Sequence, residues 1–180
     1  MNPLEIIEKY YKDNPGAKDI LIAHGEMVAK KATELAKKVK HLNPDLKFIK
    51  EAAILHDIGI FLTNAPQINC YGDKPYICHG YLGRELLEKE GLPKYALVCE
   101  RHVGVGITIE NIKKNNLPLP KRDMTPQSIE EKIICLADKF FSKKDLISEK
   151  TIEEIKAEAV QYGPENTQRV DGLLRALDLL

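Results

Sequence analysis

Residues 49–59 read Ile-Lys-Glu-Ala-Ala-Ile-Leu-His-Asp-Ile-Gly, and the reading of the fold turns on them. Ile49, Ala52 and Ala53 precede His56 by seven, four and three positions, the spacing that stacks side chains on one face of a helix. His56 therefore falls on the apolar side, where an imidazole needs a partner. Asp57 follows at the end of the helix, just before Gly59. Neighbouring helical residues point about 100° apart. An ion lying beyond the last turn can nonetheless be reached by both side chains.

The same pattern recurs along the chain. His24 sits on the stripe Leu21, Val28, Ala32, Leu35 and Val39; His79 is flanked at three by Tyr76 and Leu82; His102 follows Val98 and Cys99. Any one of these reads as a core histidine, but four in one small domain point to ligands. Asp138 has Ile134, Cys135 and Phe141 as helical neighbours, so its carboxylate is expected to be at least partly buried. A buried carboxylate must meet a cation, either a Lys or Arg side chain or a metal. The fifth histidine, His41, precedes Asn43 and Pro44 at a helix end and reads as a surface residue.

Apolar residues recur at three and four through most of the sequence, and no segment alternates long enough to require a strand. The expected fold class is all-α, with helices near 3–12, 17–40, 45–58, 75–90, 93–103, 108–115, 126–146, 151–162 and 165–178. Thr125 before Pro126 and Thr151 with Glu154 mark helix starts, and Gly59, Gly91 and Gly163 stand where C-terminal caps are wanted. Long connections are expected at 60–74 and 116–125, the latter broken by Pro118 and Pro120. Lys30, Lys31, Lys37, Lys38 and Lys40 fall opposite the apolar stripe of their helix and read as a solvated face.

A chain of 180 residues supports one hydrophobic core, and its 27 basic residues balance its 27 acidic ones. That balance excludes a protein that coats nucleic acid through a broad basic surface. No run of 18 apolar residues and no signal-type segment occurs, so the expectation is a single-domain, cytoplasmic protein. Cys70, Cys78, Cys99 and Cys135 form no CxxC unit and are expected to be reduced and packed as small hydrophobes. Gly104-Val105-Gly106 lacks the third glycine of a dinucleotide fingerprint, since position 109 is Ile. His24-Gly25-Glu26 lacks the P-C-x-x-C of zinc deaminases.

The order His24, then His56-Asp57, then Asp138 resembles the HD superfamily of metal-dependent phosphohydrolases, and His56-Asp57-Ile58-Gly59 matches its HDIG variant letter for letter. The resemblance spans about residues 20–142 and implies a compact helical HD bundle, with helices 151–178 packed on it. His79 and His102 resemble the two further histidines of members that hold two metals. By that resemblance one metal is held by His24, His56, Asp57 and Asp138, and a second by His79 and His102 with Asp57 bridging. The layout is similar to the branches that cleave diadenosine tetraphosphate and cyclic dinucleotides. No Gly-Tyr-Pro follows the HDIG run, however, and Glu100-Arg101 precedes His102 where the HD-GYP group has His-His-Glu.

Four imidazoles and two carboxylates suit one or two divalent transition metals (Fe, Mn, Zn, Co or Ni) better than Mg or Ca. Two such ions about 3.5–4 Å apart lower the pKa of a shared water and set it in line with phosphorus. The expected activity is hydrolysis of a small phosphate ester or anhydride such as a nucleotide, with Asp57 at the centre of the reaction. Arg101, beside His102, and Lys139, beside Asp138, are the sequence-adjacent candidates for stabilising charge on the phosphate, with Arg84 third. Two alternatives share the ligand set or the fold: a mixed-valence di-iron oxygenase of the HD type, and a non-catalytic regulatory or binding module.

Overall fold

The computed structural model of the protein describes residues 1–180. Nine α-helices carry the chain: α1 (Pro3–Tyr11), α2 (Pro15–Lys38), α3 (Leu46–Leu55), α4 (His79–Lys89), α5 (Pro93–Arg101), α6 (Ile109–Lys114), α7 (Ile129–Lys139), α8 (Ile152–Gln161) and α9 (Pro164–Ala176). Single 3₁₀ turns occupy Lys40–Leu42, Ile60–Leu62, Pro66–Ile68 and Tyr76–Cys78. The only strands, β1 (Asn64–Ala65) and β2 (Cys70–Tyr71), pair antiparallel within the 60–74 connection. The all-α expectation holds.

Helix starts follow local chemistry. Asn2, Asn14, Asp45, Ser128 and Thr151 each accept a hydrogen bond from a backbone N–H of the first turn, satisfying donors that have no partner within the helix. The Thr151–Glu154 capping box forms as expected. The expected start at Thr125-Pro126 does not: α7 opens at Ile129 behind Ser128. Met124 instead pairs in both directions with the backbone of Ile107, and a residue before proline avoids the helical region, so 124–127 stays outside the helix.

The ends differ more. The helix expected over 126–146 stops at Lys139. Beyond it the chain folds on polar side chains: Asp145 Oδ1 accepts from the N–H groups of Ile147 and Ser148, and Ser142 Oγ from that of Lys144. Such local bonds offer the backbone an alternative to helix. Gly59 is not a left-handed cap, since its φ is −83°, whereas Gly91 and Gly163 have φ of +73° and +96°. Gly59 is required for close approach. A Cβ there would lie 2.2 Å from the His79 carbonyl oxygen and 2.5 Å from the Gly83 nitrogen, so only glycine lets the α3 end meet α4.

The long helix α2 is the spine. Its stripe Leu21, Val28, Ala32, Leu35 and Val39 is buried. One side packs with α3, α5, α7, α8 and α9 into the larger core, and its N-terminal half joins α1, the end of α3 and the 60–70 segment in a second. Gly25 lets α3 approach to 3.0 Å of where its Cβ would stand. Of the lysine face, Lys30, Lys37, Lys38 and Lys40 are exposed, and Lys31 instead lies 4.5 Å from the centre of the Phe140 ring. No helix is long and apolar enough to cross a membrane.

Candidate metal centre

Burial of charge marks the site. His24, His56, Asp57, His79, His102 and Asp138 are all buried, and they converge from α2, the end of α3, the start of α4, the end of α5 and the end of α7. They form two overlapping groups, His24–His56–Asp57–Asp138 and Asp57–His79–His102. His24 Nε2 lies 2.9 Å from Asp138 Oδ1 and 3.4 Å from Asp57 Oδ2; His56 Nε2 lies 2.9 Å from Asp57 Oδ2 and 3.4 Å from Asp138 Oδ1. In the second group His79 Nε2 and His102 Nε2 are each 3.3 Å from Asp57 Oδ1 and 3.2 Å from each other.

Local helix geometry orients three of the rings in one way. Nδ1 of His56, His79 and His102 donates to the carbonyl three residues back: Ala53 at 2.5 Å, Tyr76 at 2.6 Å and Cys99 at 2.7 Å. The Ala53 and Cys99 carbonyls sit in last helical turns, where acceptors lack intrahelical partners, and the Tyr76 carbonyl, in a 3₁₀ turn, accepts the His79 backbone N–H as well. A carbonyl only accepts, so each Nδ1 carries a hydrogen and each ring turns its Nε2 to the site. His24, in the middle of α2, lacks this bond, and its Nδ1 is buried without a partner.

The donor set calls for cations. Burial pushes the pKa of His79 down to about 3 and that of His102 below its usual value, so both rings are neutral at pH 7. Two imidazole lone pairs and Asp57 Oδ1 therefore meet with no hydrogen to share. His56 Nε2 and both Asp57 oxygens are buried with no hydrogen bond of proper geometry. A carboxylate oxygen that faces only neutral rings, as Asp57 Oδ1 does, is rare unless an ion binds there. Burial, together with Lys143, lowers His24. For His56 burial, the largest influence, works in the same direction, but the Asp57 and Asp138 carboxylates together outweigh it and raise the pKa to about 9. Burial alone would raise Asp57 and Asp138; His56 and Lys143 around the first, and Lys139 and Lys143 around the second, hold both well below the usual carboxylate range.

Two lysines stand at the edge of the cluster. Lys139 Nζ lies 2.7 Å from Asp138 Oδ2 and Lys143 Nζ 2.6 Å from Asp57 Oδ2. Helical phase does not point to Lys143. A helix running to 146 turns it well away from Asp138, whereas the early end of α7 lets the following loop carry it back over the site. The lysine-rich run from Asp138 to Lys144 is the only hint in the sequence. Arg101 is placed elsewhere: its Nη1 bonds both oxygens of Glu131 at 3.0 Å. Arg84 is likewise engaged, at 2.7 Å from Glu88 and 2.5 Å from buried Glu100, which also binds Arg122. His41 is on the surface.

Packing behind the ligands holds them. Tyr11, buried, donates from its hydroxyl to the Ile58 carbonyl at 2.8 Å and so braces the turn after Asp57. Gly80 and Gly83 let α4 close on α5; a Cβ on Gly80 would lie 2.8 Å from the Cys99 carbonyl oxygen. That contact brings the His79 and His102 rings together. A cavity of about 330 Å³ lined by Tyr76, Asp138, Lys139 and Lys143 leads from the cluster outward.

Comparison with known proteins places this geometry in context. The profile of the HD domain family matches residues 21–142. A tRNA (cytidine(56)-2'-O)-methyltransferase of Picrophilus torridus is 35% identical over 137 residues, which are 76% of this chain and 36% of that protein. One of the same name from Thermoplasma volcanium is 33% identical over 140 residues, 77% and 35% of the two chains. An uncharacterized protein of Methanocaldococcus jannaschii is 36% identical over 121 residues, 66% and 64%. The chain thus spans little more than a third of the first two relatives and under two thirds of the third. Among solved structures, the HD domain of the L. monocytogenes phosphodiesterase PgpH in complex with cyclic-di-AMP superposes with a TM-score of 0.55. The superposition covers 96% of this chain and 94% of that one at 18% identity, a likeness of fold.

Proposed function

The chain belongs to the HD domain family, and from that premise we propose that it is a metal-dependent phosphohydrolase acting on a small phosphate ester or anhydride such as a nucleotide. The observation that carries the reading is the convergence of buried ligand atoms around Asp57: the Nε2 atoms of His79 and His102 beside Oδ1, and that of His56 beside Oδ2. Divalent ions bound there would lower the pKa of a water and draw charge from the phosphate. His24, His56, Asp57 and Asp138 would hold one and Asp57, His79 and His102 the other. The nitrogen-rich set favours Fe, Mn, Zn, Co or Ni over Mg.

The chain's own residues have defined roles in this reading. Asp57 and Asp138 supply the negative charge that retains the ions, and the three helix-end carbonyls keep the rings in the ligating tautomer. Lys139 and Lys143 stand at the mouth with their ammonium groups toward the carboxylates. With metal bound to those carboxylates, both lysines would be free to pair with nonbridging phosphate oxygens. Arg101 has no part in this, because Glu131 holds it. The chain spans little more than a third of the methyltransferase relatives, too small a part to carry the activity of the whole proteins.

The test is hydrolysis of bis(p-nitrophenyl) phosphate and of nucleotide anhydrides by protein loaded with Mn, Fe, Co, Ni or Zn. Activity should depend on added metal and disappear in His56→Ala and Asp57→Ala variants that retain helical circular dichroism. Metal-loaded wild-type protein inert across the whole panel refutes the reading.

A further inference from the structure

A second cavity, of about 640 Å³, opens on the far side of Lys139, within the range of about 300–1,000 Å³ common for small-molecule sites. Loop 103–107, α6 and the α8–α9 hairpin enclose it. Its wall adjoins the metal centre along the chain: Val103 follows His102, Lys139 follows Asp138, and Ile77 lies two before His79. Lys139 and Glu158 line both cavities, so the two adjoin at these side chains.

The charges around this cavity are mostly spoken for. Lys139 is paired with Asp138, Glu158 is held by Lys150 at 2.6 Å, and Glu165 accepts from Asn111 at 2.6 Å with Lys114 at 3.9 Å. Arg169 on α9 is the exception. It forms no ion pair; its Nε is buried without a hydrogen-bond partner, and its one polar contact is Nη2 to Asn166 Oδ1 at 3.4 Å. A guanidinium held short of acceptors at the wall of a largely apolar cavity is suited to a phosphate, which offers several charged oxygens in a matching fork.

We infer that this cavity receives the part of the substrate beyond the reacting phosphate, and that Arg169 selects substrates carrying a second phosphate there. The inference rests on the phosphohydrolase reading for which phosphate reacts. The apolar wall, with Val105, Ile107 and Ile155, suits a nucleoside-sized body between the two phosphates. The substrate class is therefore a bis-phosphorylated nucleoside or dinucleotide rather than a simple monoester.

Isothermal titration calorimetry of the protein as purified, with adenosine 3',5'-bisphosphate and adenosine 5'-monophosphate as probes, tests this directly. The bisphosphate should bind at least about tenfold tighter, the scale of one charged hydrogen-bonded contact. Arg169→Gln should bring the two affinities to within about threefold of each other, with Arg169→Lys restoring part of the gap. Asn166→Asp, nearly isosteric, places a carboxylate beside the guanidinium and should erase the preference while leaving Arg169 in place. It therefore decides the matter even if Arg169→Gln folds poorly. A preference untouched by Asn166→Asp and Arg169→Gln, or no binding of either nucleotide to wild type, overturns the inference. Cleavage of bis(p-nitrophenyl) phosphate and of the nucleotide anhydrides by the metal-loaded wild type reports separately on the hydrolase reading. Discrimination between the probes without any cleavage keeps the subsite and discards the hydrolase.

Discussion

Lys143 Nζ faces Asp57 Oδ2 at 2.6 Å, and the carboxylate is fully buried while the lysine is nearly so. In protein stripped of metal this ammonium is a main counter-charge of Asp57. Removing one partner of a buried pair costs about 3–5 kcal/mol because the other charge is left uncompensated. Lys143→Met should therefore lower stability by about 3 kcal/mol in EDTA and by much less with metal bound, when an ion takes over the neutralisation. Urea denaturation in both conditions measures it. Equal losses with and without metal would show that Lys143 acts only by packing. At this scale the sequence was informative where a residue's chemistry is costly to bury: His24, His56, His79, His102 and Asp138 stood on apolar faces and Asp57 at the helix end beside His56, and all six meet. It was uninformative about Lys143 and Arg101. A long cationic side chain reaches several ångströms in any direction, and its partner is chosen by tertiary packing rather than by helical phase.

Among the elements, the crossing of the α3 end with α4 is the most demanding, because the Gly59 contact involves backbone atoms on both sides. Gly59→Ala should destabilise the protein by about 2 kcal/mol or more, as overpacking of a closed contact does, and should weaken metal retention by moving His79. Chemical denaturation together with metal content after dialysis checks both effects. Gly172 is the counterexample: exposed in α9, with nothing within 4 Å of where a Cβ would stand. Gly172→Ala should raise stability by about 0.5–1 kcal/mol through helix propensity alone; a loss would mean that α9 needs that freedom. Helix existence was legible throughout, and starts were legible where an N-cap stood alone, as at Thr151. The end of α7 was not. Neither glycine nor proline marks it, and the stop depends on Ser142 and Asp145 side chains bonding the following backbone. That same stop delivers Lys143.

For the whole molecule, the site lies where the two larger cores meet around α2, so occupancy and global stability are coupled. An ion present at 100 times its dissociation constant adds about 2.7 kcal/mol when only the folded state binds it. EDTA should lower the melting temperature by several degrees and metal should restore it; a melting curve indifferent to both contradicts a retained metal centre. Cys70, Cys78, Cys99 and Cys135 are free and buried, and burial raises the Cys135 thiol to about 12 and that of Cys70 to about 11. Native protein should leave all four unreacted with a thiol reagent at pH 8, and all four should react in urea. Rapid labelling of any one before unfolding would mean that the packing around it opens.

The rings of His56, His79 and His102 are tied to their own helix ends, and His24 is not. This asymmetry bears on how an ion leaves. Detaching any of the three tethered rings breaks a hydrogen bond or a rotamer that the helix terminus already fixes. The His24 ring can exchange its proton between nitrogens, or tilt, without such a loss. Ion exchange should therefore proceed by release of His24 first, so that α2 acts as the latch of the centre and the helix ends as its frame. Substituting His24 should speed metal dissociation more than it weakens the other ligands' grip, in stopped-flow chelation against the wild type.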